Sequence, residues 1–178
     1  MLFFSTCLVT ILVALTSTAP ATALPVETLA NFLLVTTTQC ESARNSSALA
    51  NVSATSLFDP FDQSTYLLRL IGPGYNSLPK FNLTNGDLNT EAEEPEATGE
   101  AVYNSTGAVT AGAELGFIPS TEPAGNLGLK NGYLLTVGGQ EKGWTICDGP
   151  LEQFVIYWKG NDSGCTPTYI QAVTDAPY

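Results

Sequence analysis

The chain has 178 residues, with 17 acidic, 6 basic and no histidine, for a net charge of −11. That length suits one domain with a real core, and that charge argues against nucleic acid or anionic lipid as partners. The missing histidine removes the usual general base, the Ser-His-Asp triad and most zinc sites.

In chain order, Leu2 to Leu15 (LFFSTCLVTILVAL) is almost wholly apolar, and small residues follow to Ala23. This is the pattern of a secretory signal peptide over residues 1–23, cleaved after Ala23 or alternatively after Ala21. The run is shorter than the roughly 20 residues a bilayer demands. The expected mature chain, 24–178, holds every charged residue. It has no apolar tail after Val173, so neither a lipid anchor nor a membrane partner is expected. The product reads as soluble, secreted and monomeric. Five sequons, at Asn45, Asn51, Asn82, Asn104 and Asn161, make N-glycosylation the default.

Phe32 to Thr38 (FLLVTTT) predicts a buried strand, and Gln39 to Ser56 a surface loop or weak strand. A turn at Pro60 precedes a second strand at Thr65 to Ile71. Phe81 to Thr90 (FNLTNGDLNT) and Leu127 to Thr136 (LGLKNGYLLT) then share one pattern, 127 − 81 = 46 residues apart. Asn-Gly between alternating residues predicts a two-residue type I′ hairpin. The first copy puts Leu83 opposite Leu88 and Phe81 opposite Thr90, with Asn82, Thr84, Asp87 and Asn89 on the polar face. The second puts Leu129 opposite Leu134 and Leu127 opposite Thr136. The offset hints at internal repetition.

Between the hairpins, the acidic stretch Glu91 to Glu100 (EAEEPEATGE) lacks the alternating ligands of a calcium loop and reads as solvated. Tyr103 to Pro119 resumes as soft strands. Trp144 to Cys147 (WTIC), Phe154 to Trp158 (FVIYW) and Thr168 to Val173 (TYIQAV) close the series, with turns at Asp148-Gly149-Pro150 and Gly160 to Gly164. The FVIYW run is apolar throughout, which requires cover on both faces or one exposed aromatic face. Phe154, Ile156 and Trp158 share one side, Val155 and Tyr157 the other. No long 3.6-residue period occurs, so the class is all-β: a single compact antiparallel barrel, β-trefoil-like, with a β-sandwich as the alternative.

Once Cys7 leaves with the signal, Cys40, Cys147 and Cys165 remain. Spacing favours a Cys147–Cys165 disulfide, provided Lys159 to Gly164 runs back as an extended return. Pairing through Cys40 stays open, because sequence does not fix connectivity. No metal site and no cofactor are expected. Glu114, Asp148 and Glu152 offer a carboxylate pair of the glycosidase kind, but solvated or structural roles suit them better, so the chain reads as no enzyme. Tyr157 and Trp158, with Gln153, Asn161 and Asp162 nearby in sequence, offer a stacking platform for a neutral polysaccharide. Of the two aromatics, Tyr157 is the surface residue if Trp158 points inward.

The pattern GYLLTVGG…GWTIC…FVIYW…C…TYIQAV resembles uncharacterised fungal secreted proteins, some labelled IgE-binding. It is more distantly similar to the phialide cell-wall proteins and to the four-cysteine domain of Pir cell-wall proteins. The resemblance implies an extracellular or wall-associated β protein without known catalysis. The glutamine-rich repeats and dibasic site of Pir proteins are absent. The function expected is that of a secreted cell-wall or extracellular glycoprotein meeting neutral polysaccharide. A secreted protease inhibitor or host-directed effector is the alternative.

Overall fold

A computed structural model describes residues 28–42, 49–56, 65–72, 74, 77–93, 100–121, 123–149 and 152–175. The signal segment, the Asn45 sequon, the Pro60 turn, Pro150 and most of the acidic stretch (94–99) lie outside the described residues.

Among the described residues there are thirteen strands and no α-helix. They are β1 (Leu29–Thr37), β2 (Ala50–Thr55), β3 (Tyr66–Arg69), β4 (Lys80–Thr84), β5 (Asp87–Glu93), β6 (Glu100–Ser105) and β7 (Gly116–Ile118). The remainder are β8 (Leu127–Lys130), β9 (Leu134–Val137), β10 (Trp144–Asp148), β11 (Phe154–Trp158), β12 (Thr166–Pro167) and β13 (Tyr169–Val173). The all-β class is as expected, and every strand ladder is antiparallel.

The strands form one sheet that forks twice. Along one edge, β1 is met by β4 up to Leu33 and by β2 from Leu34 onward, while β13 lines its other edge. The changeover follows an irregularity between Leu29 and Phe32. There Asn31 takes a φ of 56° and its N–H donates to Asn82 Oδ1 at 2.8 Å. Strand β3 forks likewise, with β2 on one edge and β7 then β11 on the other. The ladders β1–β2–β3–β7–β6–β5–β4 therefore return to β1 as a ring of seven strands. Strands β13, β9 and β8 extend from β1, and β11, β10 and β12 from β3. These two wings meet where Thr168 N–H donates to the Trp144 carbonyl at 2.9 Å.

Large side chains fill the interior. Phe81 packs between Phe32 and Phe117 at centroid distances of 6.4 and 5.9 Å, and Tyr66 meets Tyr103 edge to face at 4.8 Å. Of the two expectations for Gln39 to Ser56, a surface loop or a weak strand, β2 takes the strand, and Val52 to Thr55 are all buried. Its small residues fit a strand paired on both edges, with Val52 against Leu34 and Ala54 against Leu68.

The first hairpin forms as predicted. Asn85 and Gly86 have φ of 54° and 83°, the I′ signature, and Leu83 pairs with Leu88. The second keeps its I′ turn, with Asn131 and Gly132 at 57° and 78° and Tyr133 N–H donating to the Lys130 carbonyl at 3.3 Å. Its register differs by one residue from the expectation: Leu129 opposes Leu135, and Leu127 opposes Val137. Tyr133 is the extra residue. Its carbonyl accepts from Ala172 N–H at 2.7 Å, and its hydroxyl donates to the Cys40 carbonyl at 3.2 Å. Strand β9 is thus registered by β13 rather than by its own turn.

Candidate functional site

The aromatic end of the C-terminal strands is a packed structure rather than a platform. Trp158 is 4% exposed and Trp144 1%. They oppose each other in the β10–β11 ladder and meet edge to face at 5.1 Å, an arrangement worth about 0.5–1.5 kcal/mol beyond its buried area. Trp144 Nε1–H donates to the Leu135 carbonyl at 3.1 Å. Gly143, at φ +144°, lies so close to the Trp158 ring that a Cβ would come within 2.8 Å of it. Trp158 therefore offers no free face to a sugar, which corrects its expected place in the platform.

The other side of β11 is covered as well. The Lys159 to Gly164 return crosses the outer face of β10 and β11 and delivers Thr166 to the free edge of β10, opposite Ile146. Gly160 sits where a Cβ would be 2.7 Å from Thr145 Oγ1 and 2.8 Å from Cys147 Sγ. Cys165 thereby reaches Cys147, and the two form the expected disulfide with Cα atoms 4.0 Å apart. Cover on both faces suits the apolar Val155, Ile156 and Trp158, while Phe154 at the start of the strand is 48% exposed.

Tyr157 is half-buried, and its hydroxyl donates to Glu114 Oε1 at 2.7 Å. Burial first, then the bond to Glu114 and its charge, push that hydroxyl up to about 12. The other oxygen of Glu114 accepts from both terminal nitrogens of Arg69, at 3.2 and 3.1 Å. Arg69 itself is 3% exposed. Glu114 is thus held in a structural bridge, the role favoured for it from sequence. Asp148 and Glu152 are exposed, Glu152 at a φ of 59°. Gln153 is half-buried, and its side-chain oxygen has no partner among the described residues. The β11 register puts Tyr157 and Trp158 on opposite sides of the strand, so Tyr157, Trp158 and Gln153 do not make one face.

A different region has the shape of a site. A groove of about 890 Å³ runs along the β8–β9 hairpin. The Asn85–Gly86 turn and Ala124 to Asn126 line it on one side, and Lys130 and Asn131 at the end of β8 line it on another. Its floor is nearly bare of side chains. A Cβ on Gly138 or Gly139 would meet nothing within 4 Å, and one on Gly128 would meet only Thr136 Oγ1, at 3.3 Å. The walls are fixed. Asn126 clamps Val109 by accepting from its N–H at 2.8 Å and donating to its carbonyl at 3.0 Å. The Gly86 carbonyl accepts from Leu127 N–H at 3.0 Å, an approach close enough to Gly125 that neither glycine leaves room for a side chain.

No family model, curated protein or solved structure matches this chain. The chemistry of the groove then carries the functional argument. Its one charged lining residue, Lys130, is paired with Glu141 at 3.1 Å. The rest of the lining is glycine, alanine, leucine, threonine and three asparagines. Such a surface suits an uncharged ligand with hydrogen-bonding groups along its length. Gly128 stands inside the second hairpin motif, and Gly138 and Gly139 end its GYLLTVGG stretch. What makes them a trough is the packing of the Asn85–Gly86 turn beside them.

Proposed function

We propose that the protein is a secreted, non-enzymatic glycoprotein of the cell wall or its surroundings that acts by binding a neutral ligand in the β8 groove. The observation that carries this reading is a nearly uncharged, glycine-floored groove on a chain of net charge −11. A site meant for a cation or a basic segment on so acidic a chain would draw on its carboxylates, and none lines this groove. The reading takes the ring of seven strands as a barrel-like core, since its ladders leave no open edge within the ring. It moves the binding place away from Tyr157 and Trp158, because Trp158 is buried. Polysaccharide stays within it only as one neutral polymer among those the groove can take.

The test is retention of the full chain on immobilised neutral glycans and on a displayed library of random heptapeptides, beside a Gly128→Leu variant. Gly128 has an ordinary strand φ, and its substituent would extend into the trough. The wild type is expected to be retained on at least one neutral class and the variant to lose that retention while keeping its melting transition. Retention on neither class, or retention indifferent to Gly128→Leu, would overturn the proposal.

A further inference from the structure

Strand β8 is the last strand of its wing, paired only with β9 among the described residues. In an antiparallel ladder, alternate residues turn their N–H and C=O groups toward the partner and away from it. Two bonds set the phase. The Asn126 carbonyl accepts from Gly138 N–H at 2.7 Å, so even-numbered residues face β9. Leu127 N–H donates to the Gly86 carbonyl, so odd-numbered residues face outward. The N–H and C=O of Leu129 therefore point out of the sheet. Among the described residues nothing bonds them, and they lie against the groove.

We propose that the groove takes an extended, uncharged segment of a partner polypeptide, which adds to the edge of β8 as a further strand and exchanges both backbone bonds with Leu129. This rests on the groove being the binding place and names its ligand. Charge supports the choice of occupant: Lys130 is already paired with Glu141, and the remaining lining is neutral. A charged segment would gain no partner here, and an acidic one would also meet the repulsion of the whole chain. Hydrogen bonding supports it further, since an outward N–H and C=O on one residue match a peptide unit. The bare floor at Gly128, Gly138 and Gly139 leaves room for the side chains of the incoming strand that point toward it. A second copy of this chain fits less well. Its own Asn85–Gly86 turn, which caps the edge at Leu127, would meet its counterpart, and each copy carries a net charge of −11.

The experiment selects displayed random heptapeptides on the wild-type chain with counter-selection on Gly128→Leu. An enriched peptide is then made in three forms, one plain and two N-methylated at alternate residues, one for each phase. Enriched sequences are expected to be neutral and rich in β-branched residues. N-methylation in the bonding phase should weaken binding at least about tenfold, the factor that corresponds to about 1.4 kcal/mol. Hydrogen exchange supplies a readout that does not depend on the variant's folding. In the free protein the Leu129 amide should exchange much faster than those of Gly128 and Lys130, and bound peptide should slow it at least about tenfold. Enriched peptides that bind equally well in both N-methylated phases, or an amide of Leu129 that stays fast when peptide is bound, would overturn the proposal. If no peptide is enriched but a neutral glycan is retained and Gly128→Leu abolishes that retention, strand addition is wrong and the groove remains the binding place. If neither class is retained, both readings fall.

Discussion

Replacing Glu114 by leucine takes the carboxylate away from buried Arg69, and the structure sets the size of the effect. The Arg69 side chain is 3% exposed, whereas that of Glu114 is 25% exposed. Arg69 sends both terminal nitrogens to Glu114 Oε2, and Nη1 also donates to the Leu68 carbonyl at 3.3 Å. Removing one partner of a fully buried pair costs about 3–5 kcal/mol. Water reaches the Glu114 end, so the loss falls below that range, at about 2–3 kcal/mol. Tyr157 also loses its 2.7 Å acceptor, though a half-exposed hydroxyl recovers most of that from water. For a domain of this size the melting midpoint should fall by roughly 4–12 °C. Urea unfolding followed by tryptophan fluorescence suits the assay, because Trp144 and Trp158 are both in the core. A double variant, Arg69→Met with Glu114→Leu, removes the buried charge and should be more stable than Glu114→Leu alone. A loss below about 0.5 kcal/mol for Glu114→Leu, or a double variant that merely sums the single losses, would show that the buried guanidinium does not depend on Glu114.

Tyr66 and Tyr157 are both pushed up to about 12. Unfolded tyrosine gives up its proton near 10, so their contribution to stability is intact below pH 10 and lost as pH rises from about 10 to 12. An ultraviolet titration should show Tyr66 and Tyr157 ionising late; a single transition near 10 for all seven tyrosines would contradict this. Cys147→Ala with Cys165→Ala opens an 18-residue loop and should cost about 3 kcal/mol in urea unfolding, while an unchanged midpoint would mean the return over β10 and β11 holds without its covalent tie. If the chain is glycosylated, enzymatic removal in water labelled with oxygen-18 should mark Asn161, which is exposed, and leave Asn51 unmarked. The Asn51 amide oxygen is buried without a partner among the described residues, and Ser53 of the same sequon is fully buried with its hydroxyl on the Ile71 carbonyl. A labelled Asn51 would refute that ordering.

Where the information lay within about ten residues, the sequence was legible. The Asn85–Gly86 hairpin is specified by its own turn and alternation, so its register, polar face and buried leucines could all be stated in advance. The same motif at Asn131–Gly132 gave the turn but not the register, because the slip is set by bonds from Tyr133 to Ala172 and Cys40, which no local pattern encodes. In sequence, strand β2 stands between a surface loop and a weak strand for a related reason. Its small polar residues look like a loop until β1 and β3 are seen to flank it. For β11, composition narrowed the answer to two arrangements, and only the path of the Lys159 to Gly164 return chose between them. The groove was the least legible part, since it depends on a hairpin turn about forty residues upstream packing against Gly125.

The pairing of β1 with β13 has a consequence for how the chain is made. Leu33 to Thr37 wait on Val173 to Tyr169 for one whole edge, while β9 takes its bonds from the same late strand through Gln171 and Ala172. A nascent chain emerging from its N-terminal end can assemble the ring of seven strands early. It cannot close the second wing until Tyr169 to Val173 have been synthesised. Until then β1 and β9 carry bare edges, the condition under which half-made β proteins stick to one another. A stop codon just before Tyr169 would therefore do more than remove one strand. It would leave a product folded at one end and adhesive at the other.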